Sequence, residues 1–186
     1  LFIPTASHDN QEYCDAFFEK YRSLGCKTRA LRLYSNPSYD EVDEMLFWSH
    51  IIYVGGGNTV EMLKKWEECD LVNRLKIVGN TGTLLSGLSA GASCWCKKVI
   101  TDSLYESGKF SVIDGLGFLD INFCPHFSNK EGRKEFTLKT SKENNEMYFG
   151  LDDYTALFFD NDNFQGFNAN EKSKIYLIDN GEVRFF

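Results

Sequence analysis

A serine between glycines, Gly87-Leu88-Ser89-Ala90-Gly91, is the pattern in this sequence with the clearest chemical meaning. The residues before it, Thr83-Leu84-Leu85-Ser86, predict a buried strand, and those after it predict a helix that runs into Cys96. A serine on such a sharp strand-to-helix turn exposes its hydroxyl, as nucleophilic serines do. Ser89 is therefore a candidate nucleophile, and the N–H of Ala90 is a candidate oxyanion donor. The alternative is a tightly packed turn without chemistry.

A second glycine-rich turn, Gly55-Gly56-Gly57-Asn58, follows the apolar run Ile51-Ile52-Tyr53-Val54. Adjacent parallel strands end at one sheet edge, where ligands bind, so the two turns could present two N–H groups to one oxygen. Gly57 is the candidate second oxyanion donor. A plain tight turn with Asn58 as helix cap is the structural alternative. A phosphate cradle is disfavoured because the Lys-Ser/Thr of a P-loop is missing.

One of the three histidines is placed to act as a base. His126 follows Asn122-Phe123-Cys124-Pro125, at the end of a predicted strand and therefore at the sheet edge expected for Ser89. An imidazole there can take the proton of a serine hydroxyl. His8 lies in a polar loop and His50 precedes a buried strand, so surface or structural roles are expected for both.

A carboxylate usually holds the imidazole of a Ser–His pair in the required tautomer. Asp153, in Gly150-Leu151-Asp152-Asp153, ends the strand after His126, and Asp102 follows Ile100-Thr101 beyond the Ser89 helix. Either could be an ordinary turn residue. The sequence alone does not choose between them.

Strands and helices alternate along the chain, which predicts a three-layer α/β/α fold with a mostly parallel sheet and an antiparallel edge. The first helix is predicted over Asp9 to Leu24 with Asp9 as its N-cap, and a strand over Lys27 to Tyr34. Ser38 with Glu41 predicts a capped helix over Tyr39 to Trp48. Further helices are predicted from Asn58 to about Glu68 and from Leu71 to Val78, and further strands at Ile121–Cys124, Glu146–Leu151, Ala156–Phe159, Lys174–Ile178 and Val183–Phe186.

The composition favours one acidic domain spanning residues 1–186. The chain has 42% hydrophobic residues, a net charge of −7 and a pI near 5.0, which disfavours a nucleic-acid partner because phosphate binding needs clustered Lys and Arg. No apolar run approaches the ~18 residues of a membrane span, and no signal peptide is recognised. We therefore expect a cytoplasmic protein. The chain opens within a predicted strand and without Met, so a first strand is expected before Leu1.

The six cysteines are expected to be reduced thiols. Cys94-Trp95-Cys96 does not have metal-ligand spacing, and no histidine cluster accompanies it. The sequence therefore predicts neither a metal nor an organic cofactor.

Four segments together resemble the peptidase E (aspartyl dipeptidase) family of serine peptidases, and the resemblance covers nearly the whole chain. It implies a fold like that of the class I glutamine amidotransferases, with serine in place of their cysteine, and cleavage of dipeptides with an N-terminal aspartate. Ser89 matches the nucleophile and His126 the base, while Ala90 and Gly57 match the oxyanion positions. The segments are Phe2–Ser7, Val54–Thr59, Gly87–Ala92 and Cys124–Phe127.

The resemblance also bears on the acid and on substrate binding. The family's Gly-Leu-Pro-Glu segment aligns with Gly150–Asp153, which favours Asp153 slightly as the residue that orients His126. Another proposal for the family uses an aspartate that aligns with Asp102. Arg133 resembles the family's arginine for the substrate side-chain carboxylate, with a plain surface charge as the alternative. Asn58 is the second substrate-binding candidate.

The sequence thus predicts a serine dipeptidase that acts on small peptides as a monomer or homodimer. An esterase of the α/β-hydrolase type remains open because Asp102 would fit the order of its triad. A non-catalytic ligand-binding domain and a nucleotide-binding module that uses the Gly55 turn also remain open.

Overall fold

A computed structural model describes residues 1–104, 109–161 and 163–186. The chain forms two compact units, an N-terminal unit (Leu1–Cys94) and a C-terminal unit (Trp95–Phe186). The assignment of both to one domain stays a prediction.

The N-terminal unit is built on a three-stranded sheet in the order β1-β2-β3 with parallel pairing. Five helices connect or follow these strands. The elements are β1 (Phe2–Ile3), α1 (Gln11–Ser23), α2 (Tyr39–Trp48), β2 (Ile51–Val54), α3 (Thr59–Glu68), α4 (Leu71–Asn80), β3 (Leu84–Gly87) and α5 (Ala90–Ser93). The predicted bounds of α2 and β2 are confirmed, whereas α5 ends at Ser93 and does not reach Cys96.

Side-chain caps decide where two of these helices begin. Ser38 and Glu41 form the predicted capping box at the start of α2. At α1 the predicted cap is wrong, because Asn10 accepts the Tyr13 N–H at 2.8 Å. The Asp9 carboxylate instead accepts the N–H of Tyr34 at 2.7 Å.

The predicted strand over Lys27 to Tyr34 is wrong. Only Ala30 forms an isolated bridge to Phe2, with hydrogen bonds from Phe2 N–H to Arg29 and from Leu31 N–H to Phe2. The strand β1 itself is two residues long. A 3₁₀ turn at Leu33–Ser35 follows.

The C-terminal unit contains a six-stranded sheet in the order β11-β10-β7-β6-β4-β5 and a separate β8–β9 hairpin. Its central pairs β4–β6 and β6–β7 are parallel, and the outer pairs are antiparallel. The elements are β4 (Cys96–Thr101), β5 (Ser111–Asp114), β6 (Leu119–Pro125), α6 (Arg133–Asn144), β7 (Tyr148–Leu151), β8 (Thr155–Asp160), β9 (Asn163–Asn168), β10 (Ile175–Asp179) and β11 (Glu182–Phe185). The fold is therefore mixed α/β with a mostly parallel central sheet, as predicted, and antiparallel edges.

Four elements of this unit were not predicted, namely β4, β5, β9 and α6. The buried residues of α6 are Arg133, Thr137, Thr140 and Ser141. A helix whose buried face is polar gives no apolar periodicity, which is the signal that identifies helices in a sequence.

The register of β6 and β7 positions the residues that follow these strands. Pro125 of β6 pairs with Leu151 of β7 in a parallel ladder. His126 and the Asp152-Asp153 pair therefore leave the sheet at one edge. Beneath them lies a core of Ile100, Cys124, Phe127, Tyr148 and Ile178. Within the described ranges, no helix has the length and apolar character that crossing a membrane requires.

Candidate active site

Ser89 stands at a sharp turn between β3 and α5, as predicted. Its backbone adopts φ 54° and ψ −113°, a conformation that costs free energy for any residue with a side chain. Such a turn presents a nucleophilic hydroxyl at the end of a strand. The Gly91 N–H bonds to the Leu88 carbonyl at 2.9 Å, and the Ser93 N–H bonds to the Ser89 carbonyl at 2.8 Å. The surrounding backbone therefore holds Ser89 in its strained conformation.

The two glycines of the motif are required by packing. A Cβ on Gly91 would lie 2.1 Å from the carbonyl oxygen of Val54, and one on Gly87 would lie 2.2 Å from that of Gly91. These contacts are with backbone, which cannot move aside as a flexible side chain can. The Ser89 turn is thus pressed against the end of β2.

The Gly55–Gly57 turn lies beside Ser89. A Cβ on Gly56 would lie 3.3 Å from the Cβ of Ser89 and 3.9 Å from its Oγ. Gly57 has φ 143°, and a Cβ there would lie 2.0 Å from the carbonyl oxygen of Ala6. The predicted adjacency of the two glycine-rich turns is therefore present, while the oxyanion roles of Gly57 and Ala90 stay predictions.

Asn58 caps α3, as the sequence indicated. Its Oδ1 accepts the Glu61 N–H at 3.1 Å, and its own N–H donates to the Ala6 carbonyl at 2.8 Å. Both bonds fix the end of the glycine-rich turn. The substrate-binding role of Asn58 stays a prediction.

In the C-terminal unit, Nδ1 of His126 contacts Oδ1 of Asp153. His126 follows β6 with φ 53°, and the side chains of His126 and Asp153 are 29% and 44% exposed. When Nδ1–H donates to the carboxylate, Nε2 of the neutral imidazole is the nitrogen that can accept a proton. A general base needs this tautomer, and the role of His126 as the base stays a prediction.

Asp102, the other candidate acid, binds two cations instead. Its carboxylate contacts the Lys130 ammonium and lies 3.0 Å from Nη2 of Arg133. Burial acts to raise the pKa of Asp102, but the Lys130 hydrogen bond and the Arg133 charge outweigh it, so the pKa lies below its ordinary value. Of the two candidates, Asp153 is the one placed against His126.

Arg133, the first residue of α6, is only 3% exposed. Besides Asp102, its guanidinium donates to the Pro125 carbonyl through Nη1 at 2.7 Å and lies 5.0 Å from the Phe110 ring centroid. It is therefore not a plain surface charge. Its assignment to a substrate carboxylate stays a prediction, and the contacts show that it binds the peptide immediately before His126.

The cysteine near His126 is not a competing nucleophile. None of the six cysteines forms a disulfide bond, and Cys124 is fully buried. Burial raises the pKa of the Cys124 thiol to about 12, so the reactive thiolate is not formed at neutral pH.

Comparison with known proteins places the chain in a family. Residues 1–167 match the model of peptidase family S51. The chain belongs to this family. It is 36% identical over 179 residues to the uncharacterized peptidase YgaJ of Bacillus subtilis strain 168, covering 95% of this chain and 76% of YgaJ. It is 32% identical over 138 residues to peptidase E of Salmonella arizonae, covering 72% of this chain and 58% of that protein's length.

Two solved structures share the fold of this S51 member. A protein from Listeria monocytogenes EGD-e that is provisionally named peptidase E has a TM-score of 0.72 at 25% identity, covering 91% of this chain and 85% of the other. A peptidase from an acI-B1 Actinobacterium has a TM-score of 0.74 at 20% identity, covering 100% and 82%. The predicted fold, like that of the class I glutamine amidotransferases, and the predicted serine peptidase class are confirmed.

The described part of the S51 chain holds no group of three or more metal-binding side chains. The site residues that sequence reasoning missed are Asp152, Ser128 and Asn129, which surround the His126–Asp153 pair. One feature of the sequence could have identified Asp152: it directly follows a predicted buried strand, and a carboxylate that is buried there needs hydrogen-bond partners. Ser128 and Asn129 gave none.

Proposed function

We propose that this chain is a serine-type dipeptidase that hydrolyses short peptides with an N-terminal aspartate through an acyl-enzyme. Membership of family S51 and the similarity to peptidase E support the peptide substrate. The observation that carries the proposal is the backbone of Ser89, a non-glycine residue held at positive φ between β3 and α5. Strain of this kind persists at functional sites because the surroundings enforce it.

In the proposed mechanism, Nε2 of His126 takes the Ser89 proton as Oγ attacks the substrate carbonyl carbon. The N–H groups of Gly57 and Ala90 stabilise the oxyanion. The C–N bond then breaks, and the leaving amine takes the proton from His126. Water deprotonated by His126 hydrolyses the ester, which returns the proton to Ser89. Asp153 holds the imidazole and stabilises its charged form.

The test is release of leucine from Asp-Leu, Ala-Leu and N-blocked Asp-Leu. We expect cleavage of Asp-Leu above the other two, and a loss of about 10⁶-fold in kcat for Ser89→Ala, as in other serine peptidases that lose the nucleophile. Ser93→Ala is the matched control. Ser93 lies in α5, and its buried hydroxyl has no hydrogen-bond partner among the described residues. The control should keep wild-type activity.

Three results would contradict the proposal. Full activity of the Ser89→Ala protein would remove Ser89 from the mechanism. Hydrolysis of simple esters, with no cleavage of any peptide, would favour the esterase alternative. Absence of both activities, together with no labelling of Ser89 by a fluorophosphonate, would favour a binding protein.

A further inference from the structure

Asp152 is a buried carboxylate next to the candidate acid Asp153. It is 6% exposed and directly follows β7. Oδ1 accepts the N–H of Ser128 at 3.1 Å and also contacts its hydroxyl. Oδ2 accepts the Lys174 N–H at 3.1 Å and the Tyr176 hydroxyl at 3.0 Å. Four donors therefore converge on one side chain.

This number of donors explains how the carboxylate can be buried. An ionised carboxylate removed from water is unstable unless hydrogen bonds replace its hydration. Burial and the hydrogen bond to Asp152 act to raise the pKa of Tyr176, so its hydroxyl stays a donor at neutral pH. The Tyr176 ring also packs against Phe127, with centroids 4.7 Å apart. Asp152 thus joins β10 to the segment that follows His126.

Three consecutive contacts connect the segment after His126 to the end of β7. The Phe127 N–H donates to the Leu151 carbonyl at 2.9 Å. Ser128 binds Asp152 through the two contacts described above. The Asp153 N–H donates to Oδ1 of Asn129 at 2.7 Å. Among these contacts, the one through Asp152 is the charge-assisted one, and such bonds are about twice as strong as neutral ones.

The short side chain of Asp153 makes the contacts between residues 127–129 and 151–153 important. An aspartate has one methylene fewer than a glutamate, so its backbone must lie closer to the imidazole to make the same contact. The contacts between residues 127–129 and 151–153 provide that closeness. Without the Asp152 carboxylate, the backbone of Ser128, two residues beyond His126, loses its anchor to the residue before Asp153.

We propose that Asp152 is a positioning residue that holds the His126 segment against Asp153. This deepens the proposed function and rests on it for its catalytic consequence, because the pair matters to the reaction only if His126 is the base. The positioning itself is a structural property, and it can be measured without a substrate.

The first test compares Asp152→Asn with wild type. The amide keeps the shape but presents one acceptor oxygen where the carboxylate has two. Either the Ser128 donors or the Lys174 and Tyr176 donors therefore lose their acceptor. We expect kcat for Asp-Leu to fall about 10–100-fold, as misplacement of catalytic groups by about 1 Å does, with KM nearly unchanged. Asp120→Asn is the control, since it removes an exposed charge at the other end of β6 and should change neither constant.

The second test uses NMR of the imidazole protons. The chain has only three histidines, so the Nδ1–H signal of His126 can be assigned with His126→Gln. We expect a downfield, slowly exchanging signal in wild type and Asp120→Asn, and a signal that exchanges faster or disappears in Asp152→Asn. Tyr176→Phe removes one of the four donors and should give a smaller change in the same direction.

The outcomes separate the two proposals. An unchanged kcat and an unchanged Nδ1–H signal in Asp152→Asn would overturn the role of Asp152. If Asp152→Asn does not fold, an unchanged signal in Tyr176→Phe would overturn it equally. A wild-type protein that cleaves no peptide, but whose Nδ1–H signal depends on Asp152, would refute the proposed function and leave the positioning role intact.

Discussion

His126 and Asp153 meet at the ends of two adjacent parallel strands, with Nδ1 of the imidazole against Oδ1 of the carboxylate. The register of β6 and β7 explains this contact, since Pro125 and Leu151 are ladder partners. His126 is the first residue after Pro125, and Asp153 is the second after Leu151. Asp102 follows β4 on the other side of β6 and binds Lys130 and Arg133. The two carboxylates that the sequence left as alternatives thus have separate partners.

This separation predicts different effects of removing each carboxylate. Asp153→Asn should lower kcat for Asp-Leu by about 10²–10⁴-fold, since the amide cannot fix the imidazole tautomer or stabilise its cation. Asp102→Asn should lower kcat by less than about tenfold, through a looser Arg133. Steady-state kinetics of both variants checks this prediction, and the reverse order of effects would identify Asp102 as the acid.

The contacts of Arg133 predict how its substitution affects different substrates. Arg133→Lys keeps a positive charge but cannot bind Asp102 and the Pro125 carbonyl in the same forked geometry. Because the carbonyl precedes His126, we expect kcat to fall by a similar factor, about 3–30-fold, for Asp-Leu and Ala-Leu. Steady-state measurement of kcat and KM for both dipeptides checks this prediction. A rise in KM confined to Asp-Leu would show that Arg133 binds the substrate carboxylate instead.

The sequence predicts local features of this molecule better than it predicts contacts. The capping box of Ser38 and Glu41 and the glycines around Ser89 act within a few residues, so their consequences can be read directly. The polar buried face of α6 gave no apolar periodicity, so the helix over 133–144 was not predicted. The strand predicted over 27–34 is wrong because only Ala30 pairs with β1. The partners of Asp152 come from two other segments, which no local pattern brings together.

The tight packing of the Ser89 turn predicts a large loss of unfolding free energy when one methyl group is added. Gly91→Ala would place a Cβ 2.1 Å from the Val54 carbonyl oxygen, so the backbone must shift, at a cost of about 3 kcal/mol or more in unfolding free energy. Gly79→Ala is the matched control. Its Cβ would lie 3.0 Å from the movable end of the Leu85 side chain. Alanine also stabilises a helix by about 1 kcal/mol relative to glycine.

Urea unfolding of the two alanine variants and wild type measures these costs. We expect the midpoint of Gly91→Ala to fall clearly and that of Gly79→Ala to stay near wild type. Equal midpoints for the two variants would mean that the Ser89 turn is not held against β2 as closely as the structure has it.

The ion pairs of Asp102 with Lys130 and Arg133 predict a stability difference that depends on pH. The pKa of Asp102 in the folded chain lies below its ordinary value, so the unfolded chain binds this proton more readily. The stabilisation is therefore complete above the ordinary pKa of about 4 and is lost as the pH falls through the lower pKa of the folded state. Because Arg133 is 3% exposed, loss of the carboxylate leaves its guanidinium poorly compensated.

We therefore expect Asp102→Asn to lower the unfolding free energy by about 1–3 kcal/mol at pH 7, and the difference from wild type to shrink below about pH 4. Denaturant unfolding between pH 3 and pH 7 measures the difference directly. Asp120→Asn, which removes a carboxylate paired with Lys97 at the exposed surface, should show less than about 1 kcal/mol throughout. A difference for Asp102→Asn that stays constant with pH would mean that the ionised carboxylate does not stabilise the fold through its ion pairs with Lys130 and Arg133.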